Sequence, residues 1–185
     1  MQAQDIEKYL SQLGQELVKL GVDRPIRVLM IGGAYMMLLA DAPRSTDDVD
    51  IFWLEHEDEE TLQQALRALR DAVQLVAQKN GLGLSWLNYL TQLLLYDQVH
   101  MPKGRLWRRY GPLHLYIPPK EYILALKILA GREKDIEDCR ILLPQTKVKT
   151  RRQARRLLER YVFPDAQTKN SEQIENTLDE LFGKP

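Results

Sequence analysis

The stretch from Arg27 to Leu54, RVLMIGGAYMMLLADAPRSTDDVDIFWL, decides the fold. Arg27-Val-Leu-Met-Ile31 is a short, nearly continuous apolar run ahead of two glycines, the pattern of a buried strand. Ala34–Ala40 consists of helix formers and reads as a helix that Gly32-Gly33 opens and Ala42-Pro43 breaks. Asp48–Leu54 alternates and is rich in β-formers, which predicts a second strand.

Chemistry is concentrated in the same stretch. Residues i and i+2 of a strand point to one face, so Asp48 and Asp50 are expected to project together, with Val49 and Ile51 opposite. Two adjacent carboxylates repel, and a divalent cation relieves the repulsion. Mg²⁺ is typically held by one or two carboxylates plus substrate phosphates. A strand that ends in Gly-Gly and feeds a helix brings bare backbone near a ligand, and unpaired amides at the helix start favour phosphate. Alone, Gly32-Gly33 reads as a turn, and Asp48-x-Asp50 as polarity at a strand end. Their order, with Arg44 and Thr46 between them, favours a nucleoside triphosphate–metal site.

Working outward, Ala3–Leu20 carries Ile6, Leu10, Leu13, Leu17 and Leu20 at helical spacing, and Gly21 stops it. The acidic run Glu55–Glu60 precedes a helix from Glu59 to Gln78, with Leu62, Leu66, Leu69, Val73 and Val76 on one side. Ser85–Tyr89 suits a helical turn, and Leu93–Val99 suits either helix or strand. Leu106–Tyr110 and Leu113–Ile117, parted by Gly111-Pro112, predict a β-hairpin. Helices are predicted over Glu121–Ala130, Lys134–Leu143, Thr150–Tyr161 and Ser171–Leu181, the last capped by Ser171. The class is therefore α+β: a lobe over residues 1–117 with a short mixed sheet, then a helical lobe over 118–185.

With 185 residues, 44% hydrophobic and 28% charged, the chain has the balance of a globular protein, which excludes the disordered and fibrous classes. Its apolar runs are too short to cross a bilayer, so no membrane partner is expected. The N-terminus MQAQDIEKYL has no signal core, and Cys139 is the sole cysteine, so a reducing, cytoplasmic location is expected and Cys-rich zinc sites are excluded. The formal net charge of zero conceals an asymmetry: Met101–Arg160 holds 16 Lys and Arg against 6 Asp and Glu, and the remainder 10 against 20. Such a basic segment suits an anionic partner or, equally, solvated helix faces.

The pattern Gly-Gly, then Arg-x-Thr-x-Asp-Val-Asp, resembles the DNA polymerase β-like nucleotidyltransferase superfamily, most closely the AbiEii-type bacterial nucleotidyltransferases and their uncharacterised relatives. Lys127-Ile-Leu-Ala-Gly-Arg132-Glu-Lys-Asp135-Ile-Glu-Asp138 and Trp86-Leu-Asn88 resemble further blocks of that group, so the likeness spans about residues 28–143. The resemblance implies a nucleotidyltransferase-like sheet. It also implies transfer of a nucleotidyl group from a nucleoside triphosphate to an acceptor hydroxyl on tRNA or protein. Gly32 and Gly33 would contact the triphosphate, and Asp48 and Asp50 would hold Mg²⁺ or Mn²⁺. Arg44 and Thr46 would shape the loop or touch phosphate. Lys127 and Arg132 would approach the triphosphate, and Asp135 would be a further catalytic acid. The toxin role in a toxin–antitoxin or defence pair, with an antitoxin protein as partner, belongs to the same implication, as does the alternative of an inactive nucleotide- or RNA-binding member of the fold.

Three expectations complete the reading. Many members of the superfamily bring a third carboxylate from a later strand. The natural candidate strand, Leu113–Ile117, holds His114 and Tyr116 on the relevant face but no acid, and Tyr89 stands where the relatives suggest one. Asp97 is the alternative donor, and His114 itself reads as a half-buried histidine. Next, Lys127 is too far along a helix from Asp135 for an i,i+4 pair, and Arg132, Asp135 and Asp138 also suit a solvated salt-bridge network. Finally, Arg151, Arg152, Arg155, Arg156 and Arg160 recur at helical spacing, a stripe for an RNA backbone such as tRNA or for acidic neighbours within the protein.

Overall fold

The computed structural model describes residues 1–54 and 59–184. Residues 55–58 of the predicted acidic run lie outside the described residues. The helices are α1 (Ala3–Lys19), α2 (Gly32–Leu39), α3 (Glu59–Asn80), α4 (Thr91–Leu95), α5 (Lys120–Ala130), α6 (Glu133–Leu142), α7 (Arg151–Tyr161), α8 (Pro164–Lys169) and α9 (Ser171–Phe182). The strands are β1 (Ile26–Met30), β2 (Val49–Trp53), β3 (Leu87–Asn88), β4 (Arg105–Tyr110) and β5 (Leu113–Ile117). The protein is α+β and divides into two compact units. One comprises Met1–Leu38, Pro43–Gln92 and Gly104–Ile117; the other comprises Leu39–Ala42, Leu93–Lys103 and the chain from Pro118.

The first unit is built on a five-stranded mixed sheet of order β3-β2-β1-β5-β4. β1 runs antiparallel to β2 and parallel to β5, β2 runs parallel to β3, and β4 pairs antiparallel with β5. Alternation sends Ile26, Val28, Leu113, Leu115 and Ile117 to one face, where all are buried. α1 packs against this face and against α3, burying Ile6, Leu10, Leu13 and Leu17 completely. At about 1.5–3 kcal/mol for each such side chain, that stripe is a principal source of the unit's stability.

In the second unit α5 is the central helix, flanked by α6, α7 and α9. Its Tyr122 is fully buried and meets Tyr161 of α7 edge-on, with ring centroids 5.2 Å apart. Residues 93–103 are tied to this unit by a Val99–Val162 bridge and by His100 N–H donating to the Tyr161 carbonyl at 2.8 Å.

Several local expectations change. Gly32 and Gly33 are the first residues of α2 rather than its preface. β2 starts at Val49, so Asp48 lies just ahead of the strand. The ambiguous Leu93–Val99 divides into the end of α4, a turn and the Val99 bridge. Ser171 is the first residue of α9, and Asn170 holds the cap position without a side-chain cap bond. Thr150 does cap α7, accepting from Gln153 N–H at 3.3 Å.

Candidate functional site

The glycine turn, the loop Pro43–Asp48 and β2 meet closely in the first unit. Gly32 has φ of +68°, a backbone state that side-chain-bearing residues avoid. A Cβ there would also run into Asp50 Oδ2. A Cβ on Gly33 would lie 2.5 Å from Thr46 Oγ1 and 3.9 Å from Arg44 Nη2. The two glycines thus do more than turn the chain: their bare backbone faces a carboxylate, a hydroxyl and a guanidinium. Ile31 N–H donates to the Asp50 carbonyl at 3.0 Å, and Thr46 Oγ1 donates to the Asp48 carbonyl at 3.2 Å. Gly32, Gly33, Arg44, Thr46 and Asp50 are therefore brought together, and Asp48 and Asp50 are both half-buried.

The two Asp50 carboxylate oxygens have different surroundings. Oδ1 accepts from Asn88 Nδ2 at 2.9 Å and from Thr91 Oγ1 at 2.6 Å, while Oδ2 faces Gly32. Asn88 stands in register with Asp50, because β3 is the strand beside β2. This corrects the expected place of a third acid. β5 neighbours β1 and β4, so His114 and Tyr116 are not on the strand next to Asp50. Asp97 lies exposed in a turn of the second unit. The position beside Asp50 belongs to an amide, whose Oδ1 in turn accepts from Leu90 N–H at 3.1 Å. Asn88 and Thr91 were missed as site residues. Trp86-Leu-Asn88 was the available signal, but a two-residue strand has no periodicity to mark it.

Among the described residues no group of three or more His, Cys, Asp or Glu could hold a metal ion. Carboxylates suit a hard divalent cation that takes its other ligands from phosphate and water, and of the two expected ones Asp50 is the one whose carboxylate lies against Gly32. Oδ2 of Asp50 is the oxygen directed at the glycine turn, where that phosphate would lie.

The second block forms a different constellation. Lys127 of α5 reaches Asp135 Oδ1 at 2.8 Å and Asp138 Oδ2 at 2.8 Å, both on α6. Arg132 adds its Nε to Asp135 Oδ2 at 2.5 Å. Helix spacing gives Lys127 and Asp135 no i,i+4 pair, and they meet by another route: Gly131 reverses the chain in a left-handed turn at φ +55°, so the helix hairpin joins residues that one helix would hold apart. A solvated network is also excluded for the carboxylates, which are 0% and 1% exposed. Burial raises the Asp135 pKa, but hydrogen bonds from Arg132 and Lys127 outweigh it and hold the carboxyl below its ordinary value. Burial likewise pushes the neighbouring Cys139 thiol up to about 12, which leaves it protonated and unreactive at neutral pH.

The basic helix α7 splits its stripe. Arg151 pairs with Glu175, at 2.5 Å, and with Asp179 of α9, and Arg155 reaches Glu175 at 2.6 Å. Arg152 and Arg156 lie exposed on the next flank of the helix. The acidic-neighbour reading therefore holds for Arg151 and Arg155.

Scans of the chain against protein-family models and curated proteins return no match. Among the described residues, no helix is long and apolar enough to cross a membrane.

Proposed function

We propose that the chain is a metal-dependent nucleotidyltransferase of the polymerase β-like kind, with its triphosphate at the Gly32-Gly33 turn and its metal carboxylates at Asp48 and Asp50. The observation that carries this reading is the approach of Asp50 Oδ2, Thr46 Oγ1 and Arg44 Nη2 to the two glycines. A bare turn opening a helix offers amides to phosphate, and the guanidinium adds positive charge on the same side. Bound Mg²⁺ or Mn²⁺ would neutralise charge on the triphosphate oxygens. Gly32 and Gly33, without Cβ atoms, let Asp50 Oδ2 and Thr46 Oγ1 lie against the turn. Asn88 and Thr91 orient the Asp50 carboxylate through Oδ1 and leave Oδ2 directed at the turn.

In this reading Lys127 and Asp135 act on architecture, because two buried carboxylates already hold the ammonium. Transfer from labelled nucleoside triphosphates to RNA and protein acceptors tests the reaction. Wild type is expected to label an acceptor in the presence of Mg²⁺, and Asp48→Asn/Asp50→Asn to lose that label. Equal labelling by both would remove these carboxylates from the chemistry.

The occupation of Asp50 Oδ1 by two donors favours a second reading, nucleotide binding without transfer. Metal-dependent triphosphate binding with no turnover on any acceptor would select it.

A further inference from the structure

A row of basic groups crosses one end of the sheet on the face opposite α1. Arg27 of β1 is in register with His114 of β5, and His114 is in register with Arg109 of β4. Strands lie about 4.8 Å apart, so the two arginines flank the histidine at a backbone separation of about 10 Å. Arg27 and Arg109 are exposed and His114 is half-buried. Tyr116, also half-buried, shares this face two residues along β5.

His114, its pKa lowered, is neutral near pH 7, so the charges of the row are Arg27 and Arg109, one intervening strand apart, and among the described residues no carboxylate pairs with either. The contrast with nearby arginines is direct: Arg108, one residue away on the opposite face, pairs with Glu7 at 2.9 Å. Burial, then Arg109 and Arg27, depress the His114 pKa, an independent sign that the three groups sense one another. The α7 stripe does not compete well for the same role, since two of its arginines are already neutralised by α9.

We propose that Arg27, His114 and Arg109, with Tyr116 beside them, form the docking surface for single-stranded RNA. The guanidiniums would meet backbone phosphates, and the tyrosine ring would supply a stacking surface for a base. That aromatic neighbour favours RNA over an acidic polypeptide, which would use the charges alone. The inference rests on the nucleotidyltransferase reading only for the role of RNA as acceptor.

The test is fluorescence anisotropy of the full chain with a labelled oligouridylate of about 16 nucleotides, the upper site size of one single-strand groove. Nucleotide and metal are left out. Failed transfer therefore leaves RNA docking intact, and failed docking leaves triphosphate binding at Gly32 intact. Arg27→Gln/Arg109→Gln should weaken binding at low salt by at least about tenfold and flatten the log K against log salt slope by about 1.4, from two lost phosphate contacts. Tyr116→Ala should weaken binding by at least about fivefold with the slope unchanged. Arg152→Gln/Arg156→Gln, with both changes on exposed α7 positions, should have a smaller effect than the sheet pair. No binding by wild type, wild-type binding by the sheet variant, or an equal loss in the α7 variant would overturn the proposal. So would polyglutamate competing as well as RNA, which would assign the surface to an acidic protein.

Discussion

In the second unit Lys127 sits between Asp135 and Asp138, every charge met by another and the carboxylates sealed from solvent. In the first unit Asp50 gives one oxygen to Asn88 and Thr91 and turns the other toward a glycine whose Cβ would collide with it. Both regions combine acids, bases and a glycine turn, and on paper they look alike. Their closure differs: one is electrostatically complete, whereas the other joins a carboxylate oxygen to bare backbone. A closed cluster holds helices together. In the proposed reading, the carboxylate beside bare backbone is where a cation and an anionic ligand would sit.

The sharpest way to break this comparison is to remove the charge at the centre of the closed cluster. Lys127→Leu removes the ammonium that both buried carboxylates share, leaves Asp135 to Arg132, and should cost about 3–5 kcal/mol in urea unfolding. The triple change Lys127→Leu/Asp135→Leu/Asp138→Leu should recover much of that loss, because an apolar replacement removes the desolvation cost along with the attraction. A triple variant as damaged as the single one would show that the cluster does something beyond holding α5 to α6.

A smaller effect comes from acid. The folded pKa of Asp135 lies below its ordinary value of 3.8, so its contribution to stability is complete above that value and is lost as pH falls through the folded pKa. Urea midpoints of wild type and Asp135→Asn should therefore differ at neutral pH and converge in acid. A constant gap would mean that the carboxylate's charge is not what the site uses.

The sequence made the first unit's framework readable because its signals are local: an apolar run into Gly32-Gly33, an alternating Val49–Trp53, a hairpin around Gly111-Pro112, and leucines at helical spacing in α1. The glycines themselves were legible as a turn, but their approach to Asp50 and Thr46 is tertiary. β3 was not legible because its two residues gain strand character only by pairing with Val49 and Asp50. That pairing also sets Asn88, and no residue of β5, beside Asp50. The Lys127–Asp135 contact needs the left-handed turn at Gly131, which single-helix spacing cannot express. α8 carries a local signal, Pro164 at its first position.

The claim on which the account turns is that the Gly32–Asp50 constellation receives a triphosphate, and calorimetric titration of each ribonucleoside triphosphate measures it most directly. Wild type is predicted to bind at least one of them in a manner that requires Mg²⁺, with Gly32→Ala and Asp50→Asn each weakening binding by at least about tenfold, or about 1.4 kcal/mol. Binding of no triphosphate by the wild type, or undiminished binding by both variants, would contradict it.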